Sequence, residues 1–188
     1  MTDTYREIKL RKVMQVIFTV YIIVLLRFTL FKYVPLTRLP NAFFMTERDF
    51  NLIPFKGIYE IITSFSVHSL INNILGNILL FLPFGILFPM TTVFEGETPV
   101  YGCLSSILIE VAQYGFAMGA ADIDDIILNT FGAFIGYRLI YRLIIVNLFK
   151  ERETMLTVMS ILLGAGLIAG LFLLYYAGYL VGGFPYYS

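Results

Sequence analysis

Residues 70–93 read LINNILGNILLFLPFGILFPMTTV, an apolar stretch with no charged residue and with Asn73 and Asn77 near its start. A helix needs about 20 mostly apolar residues to cross the hydrocarbon core of a bilayer, and this stretch is long enough. Hydrocarbon offers the backbone no hydrogen-bond partner, so such a segment must satisfy its own N–H and C=O groups as a helix. Asparagines inside it must in turn find partners on other helices.

Working outward, four more segments read the same way, at residues 13–34, 99–118, 126–148 and 155–181. The expected fold is therefore all-α: a polytopic integral membrane helix bundle of about five transmembrane helices. Composition agrees. Of 188 residues, 59% are hydrophobic and 14% charged, against roughly half and a quarter in an ordinary soluble domain. Thirteen basic residues balance thirteen acidic ones, which argues against nucleic acid as a partner. The lone Cys103 excludes an intrachain disulfide, and the lone His68 excludes a multi-histidine metal site. Arg6, Lys9, Arg11 and Lys12 precede the first apolar run, but that run is too long for a signal-peptide core. It reads as a retained first span.

Positive charge sets orientation. With the N-terminus cytoplasmic, the inner side holds those four residues with Arg138, Arg142, Lys150 and Arg152. The outer side holds Lys32, Arg38, Arg48 and Lys56. The bias favours a cytoplasmic N-terminus and an extracytoplasmic C-terminus, with the tail Phe184-Pro-Tyr-Tyr-Ser188 at outer interface depth. In the link between the first two spans, Phe55, Ile58, Ile61, Ile62 and Phe65 share one helical face opposite Lys56, Glu60 and Thr63. That pattern fits an interfacial amphipathic helix on the membrane surface, or equally a cap over the bundle.

A helix rises about 1.5 Å per residue, so depths follow from the span ends. Asn73 and Asn77 fall one and two turns into the second span, and Asn129 one turn into the fourth. Gln113 and Glu110 lie close to the outer end of the third, and Arg27 near that of the first. The intramembrane polar side chains of four spans thus share the outer half of the membrane. Asn73, Asn77, Glu110, Gln113, Asp125, Asn129 and Arg27 are the candidate ligand-binding set, around a polar cavity opening outward. The plain structural alternatives are interhelical hydrogen bonding by the amides and a buried ion pair between Glu110 and Arg27.

Asp122-Ile-Asp-Asp125 opens the fourth span. One aspartate there is explained as a helix cap. Three exceed that need, and hard cations take oxygen ligands, so Asp122, Asp124 and Asp125 are candidate ligands for a divalent cation. Gly132-Ala-Phe-Ile-Gly136 and Gly166-Leu-Ile-Ala-Gly170 are small-residue patterns expected to let helices approach closely. Pro83 is expected to kink the second span near mid-membrane.

Taken in order, Asn51-Leu-Ile-Pro-Phe55, Asn73-Ile-Leu-Gly-Asn77, Phe81-Leu-Pro83-Phe-Gly85, Glu110-Val-Ala-Gln113, Asp122-Ile-Asp-Asp125 and Asn129-Thr-Phe-Gly132 resemble the VanZ-like family of bacterial membrane proteins. The resemblance covers about residues 50–140. It implies a VanZ-like core in residues 1–150, with 151–188 adding a C-terminal transmembrane helix and tail. Family members often carry an arginine shortly before the aspartates, where this chain has Gly119-Ala-Ala. The resemblance implies a bacterial plasma membrane location and an association with low-level resistance to teicoplanin, a glycopeptide antibiotic that binds cell-wall precursors. It implies that Asn77, Glu110, Gln113, Asp125 and Asn129 form a shared polar site, and it defines no catalytic residue.

Three functions compete. The first is a non-enzymatic envelope protein whose outward cavity binds a membrane lipid, a lipid-linked cell-wall precursor or a lipoglycopeptide. The second is an intramembrane enzyme on a polyprenyl or phospholipid head group, with Glu110 as general base and the aspartates holding a divalent cation. Ser105 and Ser106 lie near Glu110, but no histidine partner is evident. The third is a transporter or flippase subunit, which with five spans would need an oligomer.

Overall fold

The computed structural model describes residues 5–30, 50–116, 121–149 and 151–182, with side chains of the last helix described through Gly166 and at Gly170. Helix α1 spans Tyr5–Leu30. A two-residue strand β1, Phe50–Asn51, leads to the short helix α2, Lys56–Thr63. Helix α3 runs over Val67–Thr91, and a 3-10 turn at Glu95–Glu97 leads to α4, Thr98–Gly115. Strand β2, Ala121–Asp122, precedes α5, Ile123–Leu148, and α6 follows over Arg152–Gly182. The described chain is almost wholly helical, as expected.

Three of these helices, α1, α3 and α5, are long and apolar enough to cross a membrane. This does not match the expected count of about five. Helix α4 carries Glu110, Gln113, Ser105 and Ser106 within its short length, which lowers its hydropathy, and the described side chains of α6 end before its full apolar run. The outer faces nevertheless carry Ile23, Leu79, Leu108, Val111, Leu143 and Ile161, all exposed. Exposed apolar faces on several adjacent helices are what a hydrocarbon solvent requires.

Helices alternate in direction. Arg6 of α1 pairs with Glu153 of α6 at 2.6 Å, and the Gln15 amide donates to the Thr91 carbonyl at 3.1 Å. The starts of α1 and α6 therefore meet the end of α3. Met14, Leu87, Met90, Tyr141, Met155 and Leu156 form the core at this basic end. Leu25, Phe81, Phe84, Ile109 and Ala133 form a second core toward the opposite end.

Helices α3 and α5 are in backbone contact, and glycines make that possible. A Cβ on Gly132 would strike the Ile78 carbonyl oxygen, and one on Gly136 the Leu82 carbonyl oxygen. A Cβ on Gly85 would strike the Ala133 carbonyl oxygen. The first small-residue pattern thus works as expected. The second does not within the described chain: among the described residues nothing lies within 4 Å of a Cβ on Gly166 or Gly170. Helix α3 continues through Pro83 and Pro89.

The basic end is closed by a polar cluster. The buried Tyr141 hydroxyl donates to Glu95 Oε2 at 2.8 Å, and Arg152 reaches that same oxygen at 3.5 Å. Arg152 also approaches the Pro89 and Thr92 carbonyls at the end of α3, where a helix leaves carbonyls without intrahelical donors. Tyr141→Phe removes the donor to a charged acceptor and is expected to cost about 1.5 kcal/mol. A melting temperature in detergent unchanged from the parent would show that Glu95 finds an equivalent donor.

Candidate functional site

At the opposite end the polar residues converge. A cavity of about 460 Å³ is lined by side chains from α1, α3, α4 and α5, and six of the seven expected residues are in its wall: Asn73, Asn77, Glu110, Gln113, Asp125 and Asn129. The seventh, Arg27, is not among the lining residues, although its neighbours Phe28 and Thr29 are. Helix alternation explains the gathering, because the start of α3, the end of α4, the start of α5 and the end of α1 meet at this end.

The amides are held in fixed orientations. Gln113 donates its Nε2 to the Thr29 carbonyl at 3.2 Å, tying α4 to α1. Asn77 donates its Nδ2 to Asp125 Oδ1 at 2.5 Å, tying α3 to α5. Asn129 donates its Nδ2 to Ser106 Oγ at 2.9 Å, tying α5 to α4. Among the described residues, the oxygen ends of two of these amides, Gln113 Oε1 and Asn129 Oδ1, are buried with no hydrogen-bond partner. Such groups are rare in folded proteins and call for a physical reason.

Glu110 is 4% exposed and accepts the Asp122 backbone N–H on Oε2 at 2.9 Å. It therefore anchors the chain just before α5. Glu110 also belongs to a second wall: an apolar cleft of about 430 Å³ lies beside the cavity, lined by Phe50, Leu52, Ile107, Val111, Tyr114 and Ile126 among others, with Glu110 common to both. Sequence reading did not anticipate this cleft, because Phe50 and Leu52 come from a linker far from the helices they join.

The three aspartates have separate tasks. Asp122 caps α5 by accepting the Asp124 N–H at 2.9 Å and also accepts from Asn51 Nδ2 at 3.0 Å. Asp124, 2% exposed, accepts the Phe55 N–H at 2.5 Å and the Ile58 N–H at 3.1 Å, capping α2 rather than its own helix. Asp125 faces Asn77. Among the described residues no group of three His, Cys, Asp or Glu side chains is placed to hold a metal ion. A parallel bridge pairs Phe50 with Ala121 and Asn51 with Asp122, so the linker before α2 is stitched to the start of α5. Phe55 sits at φ 65°, in the left-handed region that costs a bulky residue energy, and the Asp124 bond holds it there. Phe55, Tyr59, Ile62 and Phe65 stay exposed. That supports a surface helix over a cap buried on the bundle.

Sequence reading missed His68, Ser69, Asn72, Phe28, Thr29 and Leu80 in the cavity wall. Asn72 lies in a π-helical segment, Leu70–Leu75, whose wider turn a regular 3.6-residue period does not describe. Asn72 Nδ2 lies 2.9 Å from His68 Nε2. Ser106, weighed only as a nucleophile, is fully buried and is the acceptor for Asn129. The expected markers at Lys32, Arg38, Arg48, Lys150, Gly119 and the 184–188 tail lie outside the described residues.

Comparison with known proteins bears on this arrangement. The VanZ/LLP1 family matches residues 18–150, well over half of the chain and wider than the motif region. Protein VanZ of Enterococcus faecium is 32% identical over 102 residues, covering 47% of this chain and 63% of that protein. The chain thus matches less than two thirds of that relative's length. No solved structure matches the chain.

Proposed function

The chain belongs to the VanZ/LLP1 family, and from that premise we propose a binding function in the bacterial cell envelope. The protein lowers sensitivity to teicoplanin by binding an envelope lipid, a lipid-linked cell-wall precursor or the lipoglycopeptide in its polar cavity. The observation that carries this reading is the cavity itself. Four helices spend buried amides and carboxylates on one hollow of about 460 Å³, with two buried amide oxygens unpaired among the described residues. Interhelical adhesion alone would fill such a hollow.

The placement supports an outward-facing site. Arg6, Lys9, Arg11, Arg138, Arg142 and Arg152 fall on α1, α5 and α6 toward the end opposite the cavity. With positive charge held inside, the cavity faces the extracytoplasmic side. In this arrangement α4 and α6 complete a five-span bundle, and α2 lies along the outer surface. In a Cys103→Ser background, Ser69→Cys is expected to react with a membrane-impermeant maleimide added to intact cells. Labelling only after lysis would reverse the orientation.

Binding is favoured over catalysis by the tasks already assigned. Glu110 is engaged by the Asp122 backbone, Ser106 by Asn129, and the aspartates are divided between two caps and Asn77. Expression in a teicoplanin-sensitive Gram-positive host is expected to raise the inhibitory concentration. Glu110→Gln, which keeps an acceptor for the Asp122 N–H but removes the charge, is expected to cancel the rise at equal protein level. Unchanged drug sensitivity with the parent chain would count against the proposal.

A further inference from the structure

The basic end of the bundle holds a second, smaller hollow. It measures about 170 Å³ and is lined by the polar side chains of Glu95, Tyr141, Arg142 and Arg152, with Val146 and Phe149 among its apolar walls. Three parts of the chain build it: the 3-10 turn after α3, the last turns of α5 and the first turn of α6. Helices α3 and α5 are long enough to cross a membrane, and the hollow lies where they end. That is the level of lipid head groups.

Its charges do not balance. Two guanidinium groups face one carboxylate. Arg142 reaches Glu95 Oε1 at 3.8 Å and Arg152 reaches Oε2 at 3.5 Å, while Oε2 also accepts the Tyr141 hydroxyl at 2.8 Å. Both arginine contacts are longer than the roughly 2.7–3.2 Å of an N–H···O hydrogen bond. Tyr141 thus binds Glu95 closely, and the arginines only approach it. Arg152 also approaches the Pro89 and Thr92 carbonyls, at 3.5 and 3.4 Å. Its Nε is buried with no hydrogen-bond partner among the described residues. The nearby acids do not line the hollow: Glu153 pairs with Arg6 at 2.6 Å, Glu151 accepts the Thr154 hydroxyl at 3.3 Å, and Glu97 is exposed. Each arginine carries five N–H donors in a planar fork, so two forks around one carboxylate leave donors over.

We infer that this hollow seats the phosphate of an anionic membrane lipid between Arg142 and Arg152. The guanidinium fork matches phosphate oxygens in pairs, and basic pockets between membrane helices collect anionic head groups. Size sets what enters. A pocket for a whole small molecule measures about 300–1,000 Å³, so this one admits a head and leaves the chains outside. Leu143, Ile144 and Leu148, on the same stretch of α5, are exposed and offer those chains an apolar surface. The site is separate from the polar cavity, and binding here is independent of what that cavity takes.

The test uses the full chain in a neutral glycoside detergent, titrated with dioctanoyl phosphatidylglycerol and read by native mass spectrometry. Saturable one-to-one binding is expected, at least about tenfold tighter than that of dioctanoylglycerol, which has the chains without the phosphate. Arg142→Gln and Arg152→Gln are each expected to weaken it about tenfold. Lys9→Gln removes the same charge at the same end but outside the hollow, and is expected to change binding less than about twofold. Glu95→Gln keeps an acceptor for Tyr141 and removes the competing charge, so it is expected to tighten binding about threefold. Damaged packing would weaken binding instead. Melting temperatures identify a variant that does not fold, and Arg142→Gln, at a side chain about half exposed, decides if Arg152→Gln fails. Equal binding of dioctanoylglycerol, or binding unchanged in the folded arginine variants, would overturn the inference. Equal weakening by Lys9→Gln would reduce it to diffuse surface attraction and overturn the site. Inorganic phosphate displacing the lipid at equal concentration would overturn the lipid as its ligand.

Discussion

Gly132→Ala is expected to lower the melting temperature in detergent by about 6–12 °C, from about 3 kcal/mol of overpacking at about 2–4 °C per kcal/mol for a chain of this size. The added methyl would meet the Ile78 carbonyl oxygen and lie close to the Ile78 Cα and carbonyl carbon. These are backbone atoms of α3, so no side-chain rotation relieves the contact. Helices α3 and α5 must separate, and they carry Asn77 and Asp125 with them. Gly164→Ala in α6 is the matched control, because nothing described lies within 4 Å of its new Cβ. There the substitution is expected to be neutral or to stabilise by up to about 1 kcal/mol, through the lost flexibility of glycine in a helix. Equal melting shifts in the two variants would show that the α3–α5 contact is not close-packed.

Asp124→Ala is expected to release α2 and to cost about 3 kcal/mol or more, because two backbone donors lose a charged acceptor at a buried position. The carboxylate spans the Phe55 and Ile58 N–H groups, and a Cβ on Gly57 would lie only 3.1 Å from its Oδ2. Its own first residues give little further support: Phe55 offers no side-chain cap, and no residue of the helix is buried. Amide exchange over residues 56–63 should therefore rise more than global melting falls, since local openings need less than the whole unfolding free energy. Asp124→Asn keeps one acceptor and is expected to lose about half as much. Exchange in α2 unchanged by Asp124→Ala would mean that its exposed apolar face alone holds it to the membrane or detergent.

The helical, membrane-spanning character was legible because it depends on length and hydrophobicity, which sequence carries directly. So was the common depth of Asn73, Asn77, Glu110, Gln113, Asp125 and Asn129, because alternating helices with a fixed rise convert position into depth. The span count was less legible. Glu110 and Gln113 make α4 polar for a membrane helix, and only its neighbours in α1 and α5 explain where that polarity goes. The roles of the aspartates were not legible, since Asp124 serves Phe55 and Ile58, residues far back in the chain. Gly132 and Gly166 carry the same small-residue spacing, yet among the described residues only the first meets a backbone. Spacing reports that a close approach is allowed, and the partner's surface decides whether it happens.

The parallel bridge and the Asp124 cap also impose an order on biosynthesis. Residues 50–58 find their partners at 121–124, so the surface helix is complete long before its anchor exists. At about 5–20 residues per second, the ribosome needs several seconds to cover that interval. During that time α3 and α4 emerge, and the start of α2 has neither its bridge nor its cap. The linker before α2 thus gains its anchor only when the third apolar helix delivers its aspartates. The same step brings Asp125 to Asn77 and the Asp122 backbone to Glu110, so the cavity acquires its walls last.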